Sequence, residues 1–197
     1  MSLLAVAALA AGPAIAQDQD QQIEQAPEVE LPPVQDESLL AKIRIAARGG
    51  DFNLARQRRD ELKGTPRLWA KGGVALGLGY LEHGDAATAD EVLRKALEAA
   101  TYSEGLTSYD RVSALLYAAD ALHSREEYRG LADEAFNGAV GFANNLTFIE
   151  YDLAVMELAI VGRRLGQDPE DLRSVLETMS NASLRDKLIE QLGLDGG

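Results

Sequence analysis

Residues able to do metal or nucleophilic chemistry are few in this sequence and poorly grouped. The chain has two histidines, His83 and His123, and no cysteine, which excludes thiol catalysis, disulfides and thiolate metal sites. His83 and Asp85 offer two candidate ligands around a glycine turn, fewer than a metal site normally uses. No Gly-x-Ser-x-Gly or His-Glu-x-x-His pattern occurs. The sequence therefore predicts no metal, no cofactor and no catalytic residue.

Adjacent carboxylates occur at Glu126-Glu127 and Glu170-Asp171. Both pairs fall in the first turn of a predicted helix, where acidic side chains favour the positive end of the helix dipole. Both histidines fall at predicted helix ends, where a cation is similarly favoured. These positions favour structural roles, and an enzyme with carboxylates in a groove is the weaker alternative.

Charge is strongly segregated along the chain. The net charge is −13, yet residues 38–71 contain nine Lys or Arg and three acids, a local balance of +6. The acidic total makes nucleic acid and anionic membranes poor partners. Three interpretations of the basic region remain open: an acidic protein segment binds it, the acidic N-terminal segment folds back on it, or it is a solvated face.

The N-terminus has the pattern of an export signal. Residues 3–16 are uncharged and rich in Ala and Leu, and Ala14-Ile15-Ala16 before Gln17 fits a signal-peptidase site. The run is short for a membrane span. We therefore expect a signal peptide over residues 1–16 that is cleaved after Ala16, and a periplasmic or secreted protein. A cytoplasmic protein with a short apolar N-terminal helix is the alternative.

Residues 17–37 differ sharply in composition from residues 38–193. They contain seven acids, no base and three prolines, a composition that cannot bury enough apolar surface to offset the entropy of ordering. We predict a disordered, acidic Gln/Pro-rich tether. One hypothesis is that it screens the basic region until a partner displaces it.

From residue 38 to 193 the apolar spacing is helical, and no stretch alternates with a period of two. Gly and Pro mark the breaks, and Ser38, Asp51 and Asp168 are candidate N-caps. The predicted helices span residues 38–48, 51–62, 66–83, 85–100, 108–123, 126–143, 147–165, 169–179 and 183–192. Residues 194–197 are predicted to be a flexible C-terminus.

A 34-residue repeat links the first two helical hairpins: Gly50, Asp51 and Ala55 recur as Gly84, Asp85 and Ala89. That interval is typical of a helix–turn–helix repeat. The second hairpin resembles the tetratricopeptide (TPR) consensus through residues at its characteristic spacings: Leu76, Gly77, Tyr80, Gly84, Ala89, Leu93 and Ala96. In the first hairpin, Arg59 replaces the expected large apolar residue.

The resemblance implies an all-α fold, a right-handed α-solenoid of about four helix–turn–helix hairpins closed by a C-terminal capping helix. An irregular helical bundle is the alternative. It also implies a non-catalytic scaffold or adaptor whose concave face binds a peptide or protein segment, and an acidic segment is one candidate. The groove positions carried over from the family are Leu40, Arg44, Arg48, Lys71, Val74, Leu78, Glu82, Leu115, Ala119 and Leu122. The apolar members of this set could instead pack between neighbouring helices. Self-assembly into a homo-oligomeric scaffold is a further alternative.

Overall fold

A computed structural model describes residues 34–194 of the chain. Within these residues nine α-helices follow one another with no β-strand, and the predicted all-α fold class is confirmed. The helices are α1 (Val34–Arg48), α2 (Phe52–Asp60), α3 (Pro66–Glu82), α4 (Ala86–Tyr102), α5 (Ser108–Leu122), α6 (Arg129–Ala143), α7 (Phe148–Leu165), α8 (Pro169–Glu177) and α9 (Ala182–Gln191). A short 3-10 helix, Glu126–Tyr128, leads directly into α6. Across the described residues no helix has both the length and the hydropathy needed to cross a bilayer.

The turns after α1 and α3 have the same geometry. Gly50 and Gly84 both adopt a φ of 80°, the left-handed region that glycine enters without steric cost. Asp51 and Asp85 then cap the following helices, and each side chain accepts a hydrogen bond of 3.1 Å from the backbone N–H three residues later. The 34-residue repeat in the sequence is therefore a repeated turn in the structure.

The helices pack in a regular order. Sequential helices pair as α1–α2, α3–α4, α5–α6 and α7–α8, and the first members of these pairs also pack on one another as α1–α3, α3–α5 and α5–α7. Three clusters of buried apolar side chains follow this order, one among α1 to α4, one among α3 to α7 and one among α7 to α9. The odd-numbered helices α1, α3, α5 and α7 thus form one continuous layer.

Glycines on α3 allow its neighbours to approach closely. A Cβ added at Gly77 would lie 2.6 Å from Leu93 Cγ on α4, and one added at Gly79 would lie 2.6 Å from Ala47 Cβ on α1. Since both distances are shorter than van der Waals contact, α3 could not carry larger residues at these positions without moving. Gly77, one of the residues at the TPR spacings, thus lies where α3 and α4 are in close contact.

The structure departs from the predicted boundaries by more than two residues at two places. α1 begins at Val34, inside the segment predicted as a disordered tether. The predicted helix over residues 126–143 divides into the 3-10 helix and α6. The predicted signal peptide, residues 17–33 of the tether and the last three residues lie outside the described part of the chain.

Candidate functional site

The exposed side of α1, α3, α5 and α7, called here the odd-helix face, carries two adjoining cavities. The first has a volume of about 310 Å³ and is lined by Arg44, Arg48, Ala75, Leu78, Gly79, Glu82 and Tyr117. The second has a volume of about 260 Å³ and is lined by Lys71, Ser113, Leu116, Tyr117, Asp120, Glu157, Ile160 and Val161. Tyr117 lines both cavities, and together their lining residues come from all four helices. We call the two adjoining cavities the trough.

Tyr117 stands at the centre of this trough and is contacted by two cations. Arg44 Nε donates a hydrogen bond of 2.9 Å to the Tyr117 hydroxyl, and the guanidinium carbon lies 5.1 Å from the ring centroid. Lys71 Nζ lies 5.7 Å from the same centroid and donates a hydrogen bond of 3.0 Å to Ser113 Oγ. These distances fit cation–π contacts, so the charges of α1 and α3 are held over an aromatic ring of α5.

Carboxylates on the same face are paired with arginines. Glu82 lies 3.5 Å from Arg48 and 3.9 Å from Arg125, and Asp120 lies 2.7 Å from Arg164. Partly exposed pairs of this kind each contribute about 1 kcal/mol or less to stability. The odd-helix face therefore carries both positive and negative side chains. Charges arranged in this way affect the choice of a binding partner more than they affect the stability of the fold.

Tyr109 and Glu157 form a half-buried polar contact beside the second cavity, which Glu157 lines, and the Tyr109 hydroxyl donates a hydrogen bond of 2.8 Å to Glu157 Oε1. Burial, reinforced by this hydrogen bond, raises the pKa of Tyr109 above its usual value. The hydroxyl therefore stays protonated at neutral pH and serves as a fixed donor. It is poorly suited to act as a nucleophile or base.

The predicted groove residues divide into two groups. Arg44, Arg48, Leu78 and Glu82 line the first cavity, and Lys71 lines the second. The others are buried among neighbouring helices, with exposed fractions of 3% or less: Leu40, Val74, Leu115, Ala119 and Leu122. These five side chains lie in the core and line neither cavity of the odd-helix face, in line with the alternative stated for the apolar positions.

The positions predicted on α5 lie on its buried side. Leu115, Ala119 and Leu122 are buried, whereas Ser113, Tyr117 and Asp120 line the second cavity. Because successive helical positions differ by about 100°, residues one or two positions apart on α5 face different sides of the helix. Sequence reasoning missed Ser113, Tyr117 and Asp120. Their spacing in an otherwise apolar helix is the signal that would have found them.

Several cations of the basic region pack against aromatic rings and are not simply solvated. The Arg59 guanidinium carbon lies 3.7 Å from the centroid of the Trp69 ring, and Arg59 Nε donates to the Trp69 carbonyl. Arg56 donates to the Tyr80 hydroxyl. Burial lowers the pKa of Arg59 below its usual value. The planar Arg59 side chain thus fills the place where the TPR pattern expects a large apolar residue.

Both histidines lie at the C-terminal ends of helices, as the sequence predicted. His83 Nε2 donates a hydrogen bond of 3.1 Å to the carbonyl of Arg48, the last residue of α1. His123 Nδ1 donates a hydrogen bond of 2.7 Å to the carbonyl of Asp120 near the end of α5. Among residues 34–194 no group of three His, Asp or Glu side chains is placed to hold a metal ion.

Phe148 is the one non-glycine residue with a positive φ among the described residues, at 54°. This left-handed conformation costs a bulky residue about 1–2 kcal/mol. The residue is also 85% exposed, and its neighbour Ile149 is 77% exposed. Packing inside the chain therefore does not offset the strain at the start of α7.

Comparisons with protein-family models, with curated proteins and with solved structures give no match to this chain. Its likeness to TPR hairpins therefore rests on the residue spacings, the repeated turn and the packing order of the helices, and it remains a resemblance.

Proposed function

We propose that residues 34–194 form a TPR-like α-solenoid that acts as a non-catalytic protein-interaction module. The repeated Gly–Asp turn and the successive packing of α1, α3, α5 and α7 support a solenoid over an irregular bundle. In such an array the odd-helix face is the concave side. A protein segment lying in the trough is the ligand.

The observation that carries the proposal is the trough itself, two adjoining cavities that share Tyr117 and whose lining residues extend from Arg44 on α1 to Ile160 on α7. The small residues Ala75 and Gly79 line the first cavity, together with Arg44 and Tyr117. Leu78 adds an apolar side chain to the first cavity, and Ile160 adds one to the second. An extended segment can place backbone and side chains against such a surface. Arg44 and Arg48 would meet an acidic residue of that segment.

A peptide selection on the full-length protein tests this function. Peptides are selected from a displayed random library, synthesised, and their affinity is measured by fluorescence polarisation. The double variant Arg44→Glu/Arg48→Glu should weaken binding about tenfold or more, since it reverses two groove charges. The matched control Arg94→Glu/Lys95→Glu reverses two exposed charges on α4 and should change affinity less than about twofold.

Two results would contradict the proposed function. Selected peptides that bind both double variants as tightly as the wild-type protein would remove the odd-helix face as the binding site. A selection that enriches no peptide for the wild-type protein, from a library that succeeds on a known peptide-binding domain, would count against the function itself.

Export is part of the proposal. The apolar run that ends at Ala16 supports a periplasmic or secreted location. N-terminal sequencing of the mature protein should begin at Gln17. An intact N-terminus recovered from the cytoplasmic fraction would support the alternative location instead.

A further inference from the structure

A second surface of this chain is an apolar cleft between α6, α7 and α8, which has a volume of about 320 Å³. It is lined by Phe136, Val140, Ala143, Asn144, Tyr151, Val155, Leu158, Gln167, Asp171, Leu172, Ser174, Val175 and Thr178. Asp171 is the only charged residue among them. We call this surface the α6–α8 cleft.

The cleft is open because α8 is short. α8 has nine residues against 15 in α6, and each helix packs on α7, while α6 and α8 do not form a closely packed pair in the described part of the chain. Val140 is 37% exposed at its edge. Apolar walls left open to water are unfavourable and commonly mark an interaction surface.

The exposed and strained start of α7 lies beside this cleft. Phe148 precedes the lining residue Tyr151 by three positions, about one helical turn. Exposed acidic side chains are close to these residues along the chain: Glu150 follows Ile149, and Asp168 and Glu170 precede Asp171. An occupant should therefore present apolar side chains flanked by basic ones.

The outer side of α1 has that chemistry. α1 packs on α2 and α3, and Ile45 is 72% exposed. Lys42 and Arg48 lie three residues before and after Ile45, about one turn away on the same side of the helix, and both are exposed. This helix belongs to the region of residues 38–71, whose balance is +6, whereas residues 72–197 carry −12.

We infer that α1 of a second copy of this chain occupies the α6–α8 cleft. Ile45 enters the apolar cleft beside Val140, and Lys42 and Arg48 face the acidic rim at Asp171. The two surfaces differ, so the contact is heterologous, and its repetition joins copies head to tail into an open chain or a closed ring. A second copy is the occupant because opposite charges sit on two separate exposed surfaces of the same molecule.

The cleft has no lining residue in common with the odd-helix face, whereas Arg48 of α1 also lines the first cavity of that face. The α1 surface is therefore tested at Lys42 and Ile45, which line neither cavity, so that failure of this inference is distinguishable from failure of the proposed peptide-binding function. Sedimentation velocity of the full-length protein tests it, over concentrations from about 1 µM to about 1 mM. The wild-type protein should form larger species as concentration rises. Association should weaken severalfold between low salt and about 1 M salt, because opposite charges are screened.

Two variants separate the two halves of the contact. The first, Lys42→Glu/Ile45→Asp, removes the α1 surface and keeps the cleft. The second, Val140→Asp/Asp171→Lys, removes the cleft and keeps α1. Each should stay monomeric alone, whereas an equimolar mixture should form a one-to-one dimer and nothing larger, since one intact surface of each kind remains. Lys95→Glu, an exposed charge change on α4, should associate like the wild-type protein.

Thermal unfolding followed by circular dichroism shows whether each variant is folded. A double variant without a cooperative unfolding transition is replaced by the single variant Lys42→Glu or Asp171→Lys. A wild-type protein that remains monomeric at about 1 mM would overturn the inference. So would folded variants that associate alone as the wild type does, or an equimolar mixture that remains monomeric where the wild type associates.

Discussion

Arg44 on α1 and Tyr117 on α5 are joined by a hydrogen bond of 2.9 Å across α3, although 73 positions separate them in the chain. The contact is possible because α3 presents Ala75 and Gly79 beneath it, and because Gly79 lets α1 approach closely. The bond joins α1 to α5, both of which pack on α3, at the residue that the two cavities of the trough share. The same two side chains therefore help hold the helix array and shape the proposed binding surface.

Substitutions at Tyr117 should separate these two roles. Tyr117→Phe removes the hydrogen bond but keeps the ring beneath Arg44 and Lys71, so the free energy of unfolding should fall by about 1 kcal/mol or less. Tyr117→Ala also removes the ring, and the affinity for selected peptides should fall about tenfold, as for an aromatic anchor of an interface. Urea unfolding and fluorescence polarisation measure the two effects. If both variants bind the selected peptides as tightly as the wild-type protein does, Tyr117 is excluded from the binding surface.

Local signals in the sequence were sufficient to predict most of the helices. Asp51, Asp85 and Asp168 cap the helices that they precede, and glycines in left-handed conformations end α1, α3 and α7. Such signals act within one turn of the chain, so they do not require knowledge of tertiary contacts. They explain why the fold class could be predicted correctly.

The candidate site was less predictable because it depends on register between distant helices. α4 has 17 residues against nine in α2, so the 34-residue step does not continue to α5, and the positions predicted on α5 lie on its buried side. The stacking of Arg59 on Trp69 and the pairing of Tyr109 with Glu157 likewise depend on tertiary geometry. A solvated face was one of the three interpretations of the basic region, and composition could not show that Arg59 lies half-buried on the Trp69 ring.

The two equivalent turn glycines should respond differently to alanine. At Gly84 an added Cβ meets no atom within 4 Å, so Gly84→Ala should cost only the strain of a positive φ, about 1 kcal/mol. At Gly50 the Cβ would also lie 3.0 Å from His83 Cε1. Gly50→Ala should therefore lower the free energy of unfolding by more than Gly84→Ala does. Urea unfolding measures both. Against a His83→Ala background the extra cost at Gly50 should disappear, and its persistence would exclude the steric explanation.

Asp152 should make the C-terminal helices sensitive to acid. It is 7% exposed and accepts hydrogen bonds from Ser180 Oγ at 2.6 Å, Ser180 N at 2.9 Å and Asn181 N at 3.0 Å. The Ser180 hydroxyl bond is the main cause that lowers the pKa of Asp152, and the two backbone bonds add to it. These contacts tie α7 to the turn between α8 and α9.

Because the folded-state pKa of Asp152 lies below the unfolded value of about 3.9, its contribution is present above that pH and is lost as the pH falls through the folded pKa. Asp152→Asn should lower the free energy of unfolding by about 1–3 kcal/mol at pH 7. The difference from the wild-type protein should shrink below about pH 4. Asp133→Asn, at an exposed position on α6, is the control. A pH-independent difference between Asp152→Asn and wild type would contradict the role of the charge.

Alanine at Gly77 should be destabilising although alanine is the better helix former. The added Cβ would lie 2.6 Å from Leu93 Cγ, and overpacking of this kind typically costs about 1–3 kcal/mol. Gly141→Ala on α6 is the matched control, because its Cβ would meet no atom within 4 Å, and it should stabilise the protein by about 0.5–1 kcal/mol through helix propensity. Chemical denaturation of both variants gives the comparison. Since the clash involves Leu93, Gly77→Ala should lower the free energy of unfolding much less in a Leu93→Ala background. Additive effects of the two substitutions would show that α3 and α4 are not in close contact at this position.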